Sequence, residues 1–265
     1  MWSPLRSLVG WEGSRGQGPV PRIHVDEEEA ELRLGRVLRD CLAEPWRQKQ
    51  EILFLCIGTD RSTGDALGPL AGSQLAALEG ATGGRVRVQG TLDAPVHASN
   101  LHEVVRTLRE APKRPYVVAI DACLGRAENV GCLTVRPGPL LPGTGVNKTL
   151  PPVGDLQVLG VVNVGGFMEY FVLQNTRLSA VMRMVEVVSV ATWHAISWLA
   201  AEEGFTLQRP PGLLGAWPPP FRSPRDRRSN PVLPESLSGA AVTRVADGGP
   251  PPPPRSRRSR EPQHP

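Results

Sequence analysis

The sequence predicts an α/β protein: a three-layer α/β/α sandwich around a mostly parallel central sheet. Two observations carry the prediction. The apolar runs at 52–57 (ILFLCI), 116–120 (YVVAI) and 158–162 (VLGVV) lack the polar alternation of a half-exposed strand, as expected of strands buried on both faces. Stretches with apolar residues at helical spacing lie between and after them, and strands that alternate with helices build a parallel sheet covered on both sides.

The elements follow in order. Residues 1–22 are rich in Gly, Pro and Arg without a period, which predicts a disordered extension. Over 26–42 apolar residues recur at Leu32, Leu34, Val37, Leu38 and Cys41, with acids crowding the expected first turn and Arg following, as the helix dipole prefers. The strand at 52–57 runs into a polar, Gly-rich loop at 58–68, and 67–78 has helical spacing. A short strand is expected at 86–88. Asn100 is placed to cap a helix through Leu108, with Glu103 in the capping-box position. The run 116–120 is a buried strand that ends at Asp121. Residues 132–135 are strand-like, 137–152 form a Gly/Pro-rich loop, 158–162 are a further strand, and 178–199 close the domain as a long helix.

Charge and proline divide the chain. The net charge is +4, yet residues 206–265 alone carry +6 and residues 51–205 carry −2; 15 of the 28 prolines lie in the last 60 residues. That tail cannot bury enough apolar surface to offset the entropy of ordering it. The expected organisation is therefore a disordered extension at 1–22, one folded domain at 23–205, and a disordered Pro/Arg-rich tail at 206–265. The tail's prolines at 250–254 lead into RSRRSR, whose charge attracts polyanions weakly, but no aromatic residues interleave to stack on bases. No apolar run approaches the ~20 residues that cross a bilayer, and no secretory signal pattern opens the sequence. Cys41, Cys56, Cys123 and Cys132 form no CxxC pair, so free thiols in a reducing compartment, the cytoplasm, are expected.

Parallel sheets bind ligands beyond the carboxyl ends of their strands, and two such ends carry acids. The first leads through Asp60 to Asp65; the other reaches Asp121. Asp121 has two readings, a turn cap and a functional acid, and so does Asp65, which precedes a helical stretch. Two aspartates facing one cleft would push one pKa up and supply the acid and the base that hydrolysis needs. Asp60 is a third member or a positioning group. His97, in a loop beside the presumed cleft, is either structural or a ligand; with the three acids it would complete an O/N metal site. Cys123 is a poor nucleophile after a buried strand. The loop lacks GK[ST], the glycines do not spell GxGxxG, and no GxSxG occurs, so nucleotide and serine-hydrolase sites are not expected.

The runs CIGTDRSTGDALGP, GTLDAPVHASNLHE, AIDACLG, PGPLLPGTGVNKTLPPVGD and GFMEYFVLQNTRLSAVM together resemble the YyaC family of sporulation proteins over about 52–200. That family looks related to the germination protease of endospore formers and, more distantly, to hydrogenase maturation proteases, which share a three-layer α/β/α architecture. The resemblance implies a peptidase of spore proteins in a sporulating cell or spore. It places the catalytic pair on Asp65 and Asp121, with Asp60, His97, Gly143, Gly145 and Asn147 lining the substrate site. Gly58 and Gly68 would then let the backbone approach substrate. Gly64 stands where the germination protease has proline, which implies a looser loop. No cofactor, metal or membrane partner is expected. Two alternatives stay open: a metal-dependent maturation-type protease, and a non-catalytic protein that holds a peptide in the same cleft.

Overall fold

The structure is a computed structural model and describes residues 21–142 and 150–210. Strand β1 (Arg22–His24) opens the chain, followed by helix α1 (Ala30–Arg47) and β2 (Ile52–Cys56). A 3-10 turn at Thr63–Asp65 leads into α2 (Leu67–Leu75), α3 (Ala77–Ala81), β3 (Val86–Gln89) and α4 (Leu101–Glu110). Then come β4 (Tyr116–Gly125), β5 (Cys132–Pro137), β6 (Leu156–Val164), α5 (Glu169–Gln174) and α6 (Leu178–Glu202). The sheet order is β1-β5-β6-β4-β2-β3. β3, β2, β4 and β6 run parallel, while β5 and β1 add an antiparallel margin.

Helices cover both faces, so the three-layer sandwich forms as the apolar runs predict. All five residues of β2 are buried: Ile52, Phe54 and Cys56 pack under α1, α2 and α6, and Leu53 and Leu55 pack with Leu101 and Val105 of α4. α1 shows its stripe at four-residue spacing, with Ala30, Leu34, Leu38, Leu42 and Trp46 all buried. Gly35 lets it close on α6, since a Cβ there would lie 3.1 Å from the Ala191 carbonyl and 3.2 Å from the His194 Cβ. α6 is long and apolar enough to cross a membrane, beyond what the sequence suggests, but two-thirds of its apolar window (67%) is buried in this core. Beneath the sandwich, Arg85 ties the ends of three elements. It pairs with Glu203 at 2.6 Å, donates to the Trp46 carbonyl and lies 3.6 Å over the Trp46 ring.

Several local expectations shift. Acids 26–29 precede α1 instead of filling its first turn, where only Glu31 lies; Glu27 accepts from the His24 N–H and pairs with Arg33. The Asn100 capping box does not form, because Asn100 Oδ1 turns back to accept from the His97 N–H at 2.8 Å. Arg22, expected in the disordered extension, belongs to β1, and Leu207, beyond the expected boundary at 205, packs on the large core. β4 continues five residues past its expected end.

The outer edge of β3 is capped. Ladder alternation points the Val86 and Val88 amides away from β2, and side chains take both: Thr82 Oγ1 accepts from Val86 at 3.1 Å, Glu79 Oε1 from Val88 at 2.7 Å.

Candidate functional site

At the carboxyl end of the sheet the strands stop at different levels. β2 pairs with β4 up to Cys56↔Ile120, and the Ile57 N–H still reaches the Ile120 carbonyl. The chain then leaves: Gly58 donates to the Val96 carbonyl at 2.8 Å. β4 goes on from Asp121 to Gly125 with β6 alone beside it. Asp121 is thus inside a strand, not at its end, and it is the first residue past the point where β2 departs.

That position explains the buried carboxylate. The Ala122 N–H points toward the flank that β2 has left, and Asp121 Oδ1 accepts from it at 2.8 Å. Asp121 is 8% exposed. Burial pushes its carboxyl well above the usual carboxylate range, the Asp65 charge pushes the same way, and the Ala122 N–H pulls weakly against them. The Asp65 charge therefore acts on the Asp121 carboxyl. Sequence spacing alone could not establish that influence.

Asp65 sits in the 3-10 turn, one residue before Ala66, the N-cap of α2. Two backbone hydrogen bonds fix the turn. The Thr59 N–H donates to the Asp65 carbonyl, and the Asp65 N–H to the Ser62 carbonyl, each at 3.0 Å. Gly58, at φ 142°, has no room for a side chain, since a Cβ would lie 2.1 Å from the Asp65 carbonyl oxygen. At Gly68 a Cβ would lie 2.0 Å from the Ile57 carbonyl oxygen. Both glycines serve approach of the chain to its own backbone, which corrects their assignment to substrate. Gly64 is likewise packed, not loose: a Cβ would meet the Leu173 carbonyl and Thr176 Oγ1, each at 2.8 Å.

The other expected residues fall elsewhere. Asp60 is exposed in the loop ahead of the turn. His97 lies on the β3 side of β2, bordering a hollow with Gln89, Gly90 and Asn100, and its Nδ1 accepts from the Ser99 N–H at 3.3 Å. Among the described residues no three His, Cys, Asp or Glu side chains gather as metal ligands, so the donor set implied by the maturation-protease resemblance is not assembled there. Gly143, Gly145 and Asn147 lie outside the described residues. Cys123 is a reluctant nucleophile: burial and then the Asp121 charge push its thiol up to about 11, against a pull from Arg136.

Sequence reading missed three neighbours. Ser62 Oγ is buried with no hydrogen-bond partner among the described residues, just before the turn. Asn163, at the end of β6, donates to Thr176 Oγ1 at 3.2 Å, and Thr176 donates to the Val172 carbonyl at 2.9 Å. Together they join β6 to α5, the helix that braces Gly64. Ser62 and Thr176 fall within the resembling runs but are given no role there, and a register irregularity brings Asn163 opposite Leu124.

A buried acid raised by a second acid, at the mouth of a parallel sheet, defines a candidate acid-base site on an α/β fold. The chain belongs to the family described as "Protein of unknown function (DUF1256)", whose model matches residues 22–191. It is 54% identical over 138 residues to "Uncharacterized protein YyaC" of Bacillus subtilis (strain 168), a match covering 52% of this chain and 66% of that one. The chain thus spans just under two-thirds of that relative's length. Among solved structures, the [NiFe] hydrogenase maturation protease HycI from Thermococcus kodakarensis KOD1 aligns at 14% identity and a TM-score of 0.36, over 59% of this chain and 99% of that one.

Proposed function

We propose that the protein is a peptidase of spore proteins or peptides, acting in sporulation or germination, with Asp65 and Asp121 as its acid pair. The observation that carries the reading is the coupling of the two acids: Asp121 is buried and its carboxyl is raised further by the Asp65 charge. In this reading Asp65, as carboxylate, takes a proton from the attacking water while the water oxygen bonds to the scissile carbonyl carbon. Asp121, held protonated, gives its proton to the carbonyl oxygen; the proton on Asp65 then passes to the leaving nitrogen as the C–N bond breaks, and a hydroxyl of the intermediate returns its proton to Asp121 as the C=O bond re-forms, which restores both acids to their starting forms. The resemblance of TGDALGP and AIDAC to the germination-protease motifs supports peptide hydrolysis as the chemistry.

One observation favours the non-catalytic alternative. Asp121 has a structural task, closing the Ala122 amide, that alone gives a reason for an acid there. Digestion of a spore-protein extract separates the two. The wild-type chain should produce new peptide termini, and Asp121→Asn, which keeps the acceptor for Ala122, should produce none. Peptide binding without cleavage in the wild type would leave only the binding role.

A further inference from the structure

We propose that the flank of β4 vacated by β2 is the docking edge for substrate: an extended polypeptide pairs backbone to backbone with Ala122 and Leu124. It deepens the peptidase reading above and rests on it. In a parallel ladder the N–H and C=O of one residue face the same neighbour, and successive residues face opposite neighbours. Printed in the bonds of β4 is which residues face which way. Tyr116 donates to the Glu51 carbonyl and Ile120 accepts from the Ile57 N–H, so even-numbered residues face β2. Val117 accepts from the Asp155 N–H and Gly125 from the Gly165 N–H, so odd-numbered residues face β6. Ala122 and Leu124 therefore face the flank that β2 leaves after Cys56↔Ile120.

Exposure changes at the same point. Residues 117–121 are buried, whereas Ala122, Cys123, Leu124 and Gly125 are all partly exposed. The loop that carries β2 away bonds elsewhere. Gly58 donates to the Val96 carbonyl, Thr59 to that of Asp65, Asp65 to that of Ser62 and Ala66 to that of Thr63; none returns to β4. The Ala122 N–H is taken by Asp121 Oδ1. Among the described residues nothing takes the Ala122 carbonyl, or the N–H and carbonyl of Leu124.

Two acceptors and one donor at the ladder repeat are what an extended backbone completes, as in strand addition to an open edge. The edge also lies where the sheet reverses direction. β2 leads through α2 to β3 on one side and β3 leads through α4 to β4 on the other, with α2 and α4 packed on opposite faces. Open α/β sheets take ligands at such a crevice. Asp121 links the edge to the chemistry. Its carboxyl turns onto the Ala122 N–H on this same flank, so a chain paired at Leu124 passes it within two residues, about 7 Å along the strand. The folded domain of a second copy has no strand to offer, because the outer donors of β3 are filled and β1 is three residues long. Backbone pairing tolerates most side chains, so the substrate class is an unfolded or extended segment, with proline excluded where its nitrogen must donate.

The test uses the full chain with Asp121→Asn, which removes turnover, labelled with nitrogen-15 for amide exchange. The probe is an acetylated, amidated Thr/Val/Ser hexapeptide at saturating concentration. Without peptide, the Leu124 N–H should exchange at least about a hundredfold faster than the Cys123 N–H, which lies in the β6 ladder. The hexapeptide should slow Leu124 at least about tenfold and leave Cys123 unchanged; the same peptide methylated on every backbone nitrogen should not. Leu124→Pro deletes the donor on the side away from β6, where proline is tolerated, and should lose the binding that Leu124→Ala retains. If the proline variant does not fold, the methylated peptide decides alone. A Leu124 N–H already protected in the free protein overturns the proposal, because the chain itself would fill the flank. So does a hexapeptide that leaves Leu124 exchange unchanged, or equal binding by the methylated peptide or the proline variant. Protection at Leu124 with no cleavage of spore proteins by the wild type keeps the docking edge and removes the peptidase reading; cleavage without protection does the reverse.

Discussion

Asp121 holds two opposing demands. Its carboxyl is favoured in the protonated form by burial and by Asp65, so its folded pKa lies above the unfolded value. Stability from this group is then fully present below the unfolded pKa, near 3.8, and is lost as pH rises through the folded pKa. Asn at this position keeps the acceptor for the Ala122 N–H and does not ionise. The melting temperature of Asp121→Asn minus that of the wild type should therefore grow as pH is raised from about 4 toward 8, read by thermal melts at a series of pH values. A constant difference would mean that Asp121 titrates as an ordinary surface acid. Activity, in contrast, should vanish in Asp65→Asn and in Asp121→Asn alike, and the double variant should lose little more, since residues that act as a unit are not additive.

At the scale of elements, the loop that carries Asp65 is held by contacts too close for any side chain. A methyl at Gly68 would overlap the Ile57 carbonyl, which cannot move without breaking the join between β2 and β4. Gly68→Ala should cost about 3 kcal/mol, the upper end for overpacking, measurable as a lowered denaturant midpoint. The elements that sequence made legible are those with long or uninterrupted apolar signals: β2, β4, β6, α1 and α6. β1 was not legible because three residues on an antiparallel margin have no period to read. α5 was not because none of its residues is fully buried, so six residues form no buried stripe. Of the candidate site, Asp121 was legible as an acid on an apolar strand, and Asp65 as an acid in a Gly-rich loop. The glycines were legible only as loop residues, because which backbone they touch depends on packing between α2, β2 and α5.

At the scale of the whole molecule, the buried apolar area among the described residues lies in one sandwich, and the described part ends at Pro210. The sequence beyond has the composition of a chain that buries little, and it carries most of the excess positive charge. Removing residues 211–265 should leave the melting temperature within about 1 °C of the full chain and abolish any salt-sensitive retention on DNA. A loss of several degrees would show that Leu213, Leu214 or Trp217 adds to the core. Removing residues 206–265 should cost more, because Leu207 would go with them.

The capped margin of β3 bears on how the protein survives crowding. A bare parallel edge would template other chains, and here Thr82 and Glu79 fill the two donors that a newcomer would need. The far margin, β1, offers only three residues. Growth by lateral recruitment is blocked at one side and starved at the other, so a densely packed compartment could hold this protein at high concentration without seeding fibrils. Thr82→Val with Glu79→Ala should reverse that protection, seen as thioflavin-positive aggregates from concentrated solutions in which the parent chain stays clear.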